Sequence, residues 1–129
     1  MDEHPNATAY RRTADAFRAG DRESLRGLID DDVVWHVPGE NRLSGDVRGR
    51  DALFEWFDRL RAVTGGTFGL EEHDVLANDK HVVVLSRMSA VRTSPITVDV
   101  VSVFHFRDGR QLERWFLPAD PDAWNRMFA

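Results

Sequence analysis

Four strand-like segments crowd the second half of this chain, at residues 67–76, 81–92, 96–107 and 111–117. Their connections, Asn78-Asp79, Thr93-Ser94-Pro95 and Asp108-Gly109, are hairpin signals, the last an Asp-Gly pair suited to a tight turn. Strands joined this closely pair antiparallel, because a parallel crossover needs a dozen or more residues. The first half reads differently. Over residues 6–19, Ala9, Tyr10, Ala14, Ala16 and Phe17 form an apolar stripe at helical spacing, with Asn6 or Thr8 as cap and Gly20 as terminator. Asp21 caps a short second helix, 22–28. A third runs from 51 to 63, with Leu53, Phe54, Phe57 and Leu60 on one face, and Gly65-Gly66 stops it.

Between these helices, residues 30–32 read as a solvated acidic turn and 33–37 as a strand closed by Pro38-Gly39. The three glycines of 39–49 mark a loop or small hairpin. Asp120 caps a short closing helix, with Pro121 at its first position and Trp124 and Phe128 four apart. Helices followed by an antiparallel meander make an α+β pattern, not βαβ repetition. At 129 residues, with no linker or repeat, the chain is expected to form one domain, 1–129. These helices cover only one face of the sheet, so the other is expected to pack on a second copy in a homodimer.

Composition removes several function classes. There is no cysteine, which excludes thiolate catalysis, Cys-based zinc sites and disulfides. The net charge of −5 argues against a nucleic-acid surface. Lys80 is the sole lysine, and the arginine and aspartate bias reads as that of a GC-rich bacterial genome. His4, His36, His73, His81 and His105 show no ligand-type spacing, so no metal is expected. The polar, acidic N-terminus and the lack of a long apolar run point to a cytoplasmic protein without membrane contact.

A series of short segments carries a resemblance: Ala-Gly-Asp at 19–21, Asp-Asp-Val-Val-Trp-His-Val-Pro-Gly at 31–39, Ser-Gly-Asp-Val-Arg-Gly-Arg at 44–50, Asp-Gly-Arg at 108–110, and Glu113-Arg114-Trp115. In that order they resemble the SnoaL-like branch of the nuclear transport factor 2 superfamily. The resemblance implies a cone-like α+β fold: about three N-terminal helices on a curved, mainly antiparallel sheet, a short C-terminal helix, and an apolar pocket inside. That fold hosts isomerases, cyclases, hydrolases and plain binding modules. Set against the related ketosteroid isomerase, the position of its aspartate base falls on Val37, its tyrosine on Thr13 and its second acid near Ser102. All three groups are missing, so that machinery is not expected. An epoxide-hydrolase constellation is disfavoured because Phe116 stands where an acid would be wanted.

Three residues remain as catalytic candidates. His36 carries a group that titrates near neutrality. Asp99 sits in an otherwise apolar strand, where burial would raise its pKa. Arg114 could bind a carboxylate or enolate oxygen. The isomerase resemblance implies that Val37, Trp35, Ser102, Phe104, Arg114 and Phe116 face inward, so strand alternation would turn His36, Asp99 and Trp115 outward, with Trp115 as the wall instead if the register slips by one. The expected ligand pocket comprises Thr13, Phe17, Trp35, Val37, Phe54, Phe57, Ser102, Phe104, Phe116 and Trp115, and suits a small apolar or polycyclic molecule. The resemblance implies cofactor-independent isomerisation, cyclisation or dehydration of a carbonyl compound, or a non-catalytic module that binds a ligand or dimerises. No cofactor is expected.

Overall fold

The computed structural model describes residues 3–129. Its elements run in order: α1 (Pro5–Ala19), α2 (Arg22–Leu28), β1 (Ile29–Val37), β2 (Gly45–Arg48), α3 (Arg50–Thr64), β3 (Gly69–Ala77), β4 (His81–Val91), β5 (Pro95–Arg107), β6 (Arg110–Pro118) and α4 (Pro121–Met127). The six strands form one curved sheet in the order β2-β1-β6-β5-β4-β3. Every pairing is antiparallel except β1 with β6, which lie side by side in parallel. That parallel contact joins the β1–β2 pair to the meander β3 to β6 and leaves β6 and β5 in the middle of the sheet.

Local chemistry accounts for the boundaries. Pro5 supplies the fixed φ of a first helical turn, and Gly20 ends α1 at φ 69°. The α1 cap is His4, whose Nδ1 accepts from the Asn6 backbone N–H at 3.1 Å, and neither Asn6 nor Thr8 serves. Asn6 is buried and its amide donates to the Asn78 carbonyl at 3.0 Å, tying α1 to the β3–β4 turn. Asp21 and Asp120 cap α2 and α4 through the backbone N–H groups of Ser24 and Ala123. The β5–β6 hairpin turns on Asp108 at φ 54° and Gly109 at φ 74°, two successive positive values that Asp-Gly tolerates. Residues 30–32 form no solvated turn. They begin β1, and the buried Asp30 carboxylate accepts from the Asp32 N–H at 2.9 Å and from Arg107 at 3.0 Å.

The helices lie on the concave side of the sheet and close it into a cone. The main core joins Leu25, Val33, Trp35, Leu53, Trp56, Phe57, Phe116, Trp124 and Phe128. A smaller cluster under α1 holds Ala9, Tyr10, Ala14, Val82, Val84, Phe104 and Phe106. Burying a large apolar side chain is worth about 1.5–3 kcal/mol, so these rings dominate the folding free energy. At the narrow end, α4 is pinned by Trp124 Nε1 donating to the Pro38 carbonyl at 2.9 Å. Among the described residues no helix is long and apolar enough to cross a membrane.

Candidate functional site

Inside the cone, between the two apolar clusters, lies a cavity of about 50 Å³. Helix α1 contributes Tyr10, Thr13, Ala14 and Phe17 to its wall, and α3 contributes Trp56, Phe57 and Leu60. The sheet supplies Trp35, Leu70, Met88, Gln111, Arg114 and Phe116, while Trp124 and Phe128 close the far end. The lining is mostly apolar, and half of it is aromatic, because the concave face of each strand and the inner stripe of each helix are apolar.

Arg114 is the exception that gives the cavity chemistry. It lies opposite Phe104 across the antiparallel β5–β6 ladder and opposite Trp35 across the parallel β1–β6 ladder. Its guanidinium carbon sits 4.0 Å from the Phe116 ring centroid, 4.5 Å from Trp35 and 4.7 Å from Phe104. One Nη donates to the Ser102 hydroxyl at 2.9 Å, and Nε is buried without a partner. No carboxylate reaches ion-pair distance of it among the described residues. Burial pulls its pKa down to about 10, so it stays charged at neutral pH. Tyr10, on the same wall, is pushed up to about 12 by burial and stays protonated. Gln111 accepts from Trp35 Nε1, and Thr13 Oγ1 donates to the Ala9 carbonyl at 2.9 Å.

The expected site residues therefore divide. Thr13, Phe17, Trp35, Phe57, Phe116 and Arg114 line the cavity. Val37 and Phe54 belong to the surrounding core, and Ser102 and Phe104 stand behind Arg114 as its hydroxyl partner and one of its ring faces. Trp115 lies on the convex face, stacked on His36 with centroids 5.4 Å apart, so it is no pocket wall. His36 lies there too, with Nδ1 2.9 Å from Asp46 and Nε2 2.6 Å from Glu113. These carboxylates, Glu113 foremost, raise its pKa. Asp99 is exposed on that same face and bonded to Arg87 at 2.9 Å, which lowers its pKa instead of raising it. Neither His36 nor Asp99 can reach a molecule in the cone.

Sequence reasoning left out Tyr10 and Gln111. Tyr10 is the sole tyrosine and sits one helical turn before Thr13, a signal that was available. Gln111 offered none, because a break in the β5–β6 register between His105 and Phe106 brings both Gln111 and Arg114 to the concave side.

A second, open cleft of about 710 Å³ adjoins the wide end of the cone. Phe17, Leu25, Phe57, Leu60, Phe68 and Leu70 line both spaces, which therefore adjoin at these side chains. Among the described residues no group of three or more histidines and carboxylates is placed to hold a metal ion.

Fold and sequence agree on kinship. Residues 10–114 match the SnoaL-like domain, and the chain belongs to that family. Bal32a, from a soil-derived mobile gene cassette, is 35% identical, with 97% of each chain covered and a TM-score of 0.91. TerC, crystallised with polyporic acid, is 23% identical over 97% of this chain and 98% of its own, with a TM-score of 0.84. IdmH of Streptomyces antibioticus, a candidate polyketide cyclase, is 20% identical over 90% and 93%, with a TM-score of 0.73. No curated protein matches the sequence.

Proposed function

We propose that the cone binds a small, largely apolar, flat molecule and directs an enolate, phenolate or carboxylate oxygen of that molecule at Arg114. The observation that carries this reading is a buried guanidinium with no anionic partner among the described residues, on the wall of an aromatic-rich cavity. Leaving a charge unpaired in the interior costs several kcal/mol. The ring faces return about 2 kcal/mol or more where desolvated. A core needing only to be filled would place an apolar side chain there, so the cation is kept for something that arrives. Arginine's planar set of donors suits an oxyanion, and Tyr10 adds a neutral donor on the same wall. TerC's crystallisation with an acid is consistent with such a ligand.

The cavity is far smaller than the roughly 300–1,000 Å³ typical of ligand sites. Binding therefore requires Phe17, Phe57 and Phe68 to part so that cavity and cleft merge. A second reading has the same groups stabilise an enolate during a cofactor-independent isomerisation, cyclisation or dehydration of a carbonyl compound. The kinship with a candidate polyketide cyclase favours it. No histidine or carboxylate lines the cavity among the described residues, so binding stands first, and no catalytic role is assigned to His36 or Asp99.

The test is a thermal-shift series with polycyclic ketones, phenols and aromatic acids. A ligand at one hundred times its Kd adds about 2.7 kcal/mol, several degrees in Tm. The shift is expected to vanish in Arg114→Met and to persist in Asp99→Asn. A wild-type protein unmoved by every class overturns the reading.

We further assign the convex face of the sheet, with half-buried Trp115, Val101 and Val103 and exposed Leu117, to pairing with a second copy. Sedimentation velocity decides this, and a monomer at tens of micromolar removes it.

A further inference from the structure

The open cleft has a character of its own. In a chain of net charge −5, its lining carries Arg18, Arg22 and Arg61 and, among the described residues, no carboxylate. Two of these guanidiniums are engaged at its edge, Arg18 with Glu72 and Asp15, and Arg22 with Asp58. Arg61 is exposed and makes no ion pair or side-chain hydrogen bond among the described residues. Asp58, one helical turn before it on α3, turns to Arg22 and leaves Arg61 free. Gly20, Gly66 and Gly69 lie along the same lining, so little side-chain bulk fills the space. The cleft is thus roomy, its one uncommitted charge among the described residues is the Arg61 guanidinium, and it leads directly to the apolar side chains it shares with the cavity.

We infer that this cleft is the outer half of the ligand site and takes an acidic group carried by the molecule whose apolar body enters the cone. The inference rests on the binding reading above and narrows its ligand to an elongated amphipathic acid. Such a molecule meets charge, rings and charge in turn: Arg61 outside, Phe17, Phe57 and Phe68 at the constriction, and Arg114 inside. A guanidinium can hold a carboxylate through two parallel hydrogen bonds, and Arg61 is the one with its donors uncommitted. Arg18 and Arg22 are neutralised by Asp15, Glu72 and Asp58, so the preference for an acid falls on Arg61.

The experiment uses a matched pair of fluorescent probes, 4-(1-pyrenyl)butyrate and its methyl ester, which share the flat body and tether and differ in the charge. Both are titrated into the full-length chain at low salt. The butyrate is expected to bind about tenfold tighter than the ester, the size of one charge-assisted contact. That preference should shrink as salt rises, and Arg61→Gln should remove most of it while changing the ester's affinity less than twofold. Equal binding of acid and ester overturns the inference and leaves the cone reading intact. A preference that survives Arg61→Gln but disappears in Arg114→Met also overturns it, because the acid then lies inside. If neither probe binds, this inference is overturned, while the cone reading is decided separately by the thermal-shift series.

Discussion

On the concave side of β5 and β6, Ser102, Phe104, Arg114 and Phe116 close over one another. On the convex side of the same strands, Asp99, His105 and Glu113 stand among half-exposed apolar residues. Charge is handled in opposite ways. Outside, each acid has a base in contact: Asp99 with Arg87, and Glu113 with His36 and, at 3.7 Å, His105. Inside, one arginine has three ring faces, a hydroxyl and, among the described residues, no counter-ion. Exposed pairs of the first kind contribute about 0–1 kcal/mol each and keep a surface soluble. A lone interior cation of the second kind opposes folding unless its contacts offset the cost of burying it. The two faces of one sheet thus handle charge differently, by pairing it in water outside and by packing it against rings inside.

The comparison can be broken most severely at Trp35. Its ring meets Trp56, Phe57 and Phe116 at 5.4–5.6 Å and forms part of the arginine's cage. Trp35→Ala is expected to destabilise the fold by about 3–5 kcal/mol. Urea unfolding measures this, and a loss below about 1 kcal/mol would mean that the concave face is loosely packed.

A sharper test is Arg114→Met. If the interior cation serves recognition at the expense of stability, the variant should unfold at the same temperature as the parent or higher, by up to about 2 kcal/mol. Ligand shifts should disappear at the same time. A Tm drop equivalent to more than about 2 kcal/mol would instead make Arg114 a structural group like those on the convex face.

The smallest effect belongs to His36. Its pKa is raised by Glu113, with Asp46 adding to it, so the protonated ring is the form stabilised by folding. That stabilisation is complete below the ordinary histidine value of 6.5 and is lost as pH rises through the raised folded value. Parent and His36→Asn should therefore differ most at acidic pH, by less than about 1 kcal/mol, and converge in mild alkali. Melting curves across that range check it. A gap that widens with pH would reverse the assignment.

Much of this architecture was legible from local chemistry. The stripe of α1, the Asp21 and Asp120 caps, the Asp108-Gly109 turn and the alternation in β4 to β6 each depend on neighbours a few residues away. The order of short segments from Ala19 to Trp115 carried the family as well. Local pattern failed where a distant partner decided. Residues 30–32 read as a loop, yet Arg107, far along the chain, holds Asp30 inside the sheet. His4 outcompeted Asn6 as a cap because Asn6 was drawn to the β3–β4 turn.

The candidate site depends on both kinds of information. Sequence alone determined that the interior would be aromatic, that no thiol could act there, and that an arginine lay among the rings of the last strand. Only the tertiary structure decided that Tyr10 and Gln111 share a wall with it and that, among the described residues, no acid does. The physical reason lies in the register. Side chains alternate with a period of two, and a break at His105/Phe106 resets which of them face inward. Where that break falls is settled by how β6 fits between β1 and β5, and no window of neighbouring residues records it.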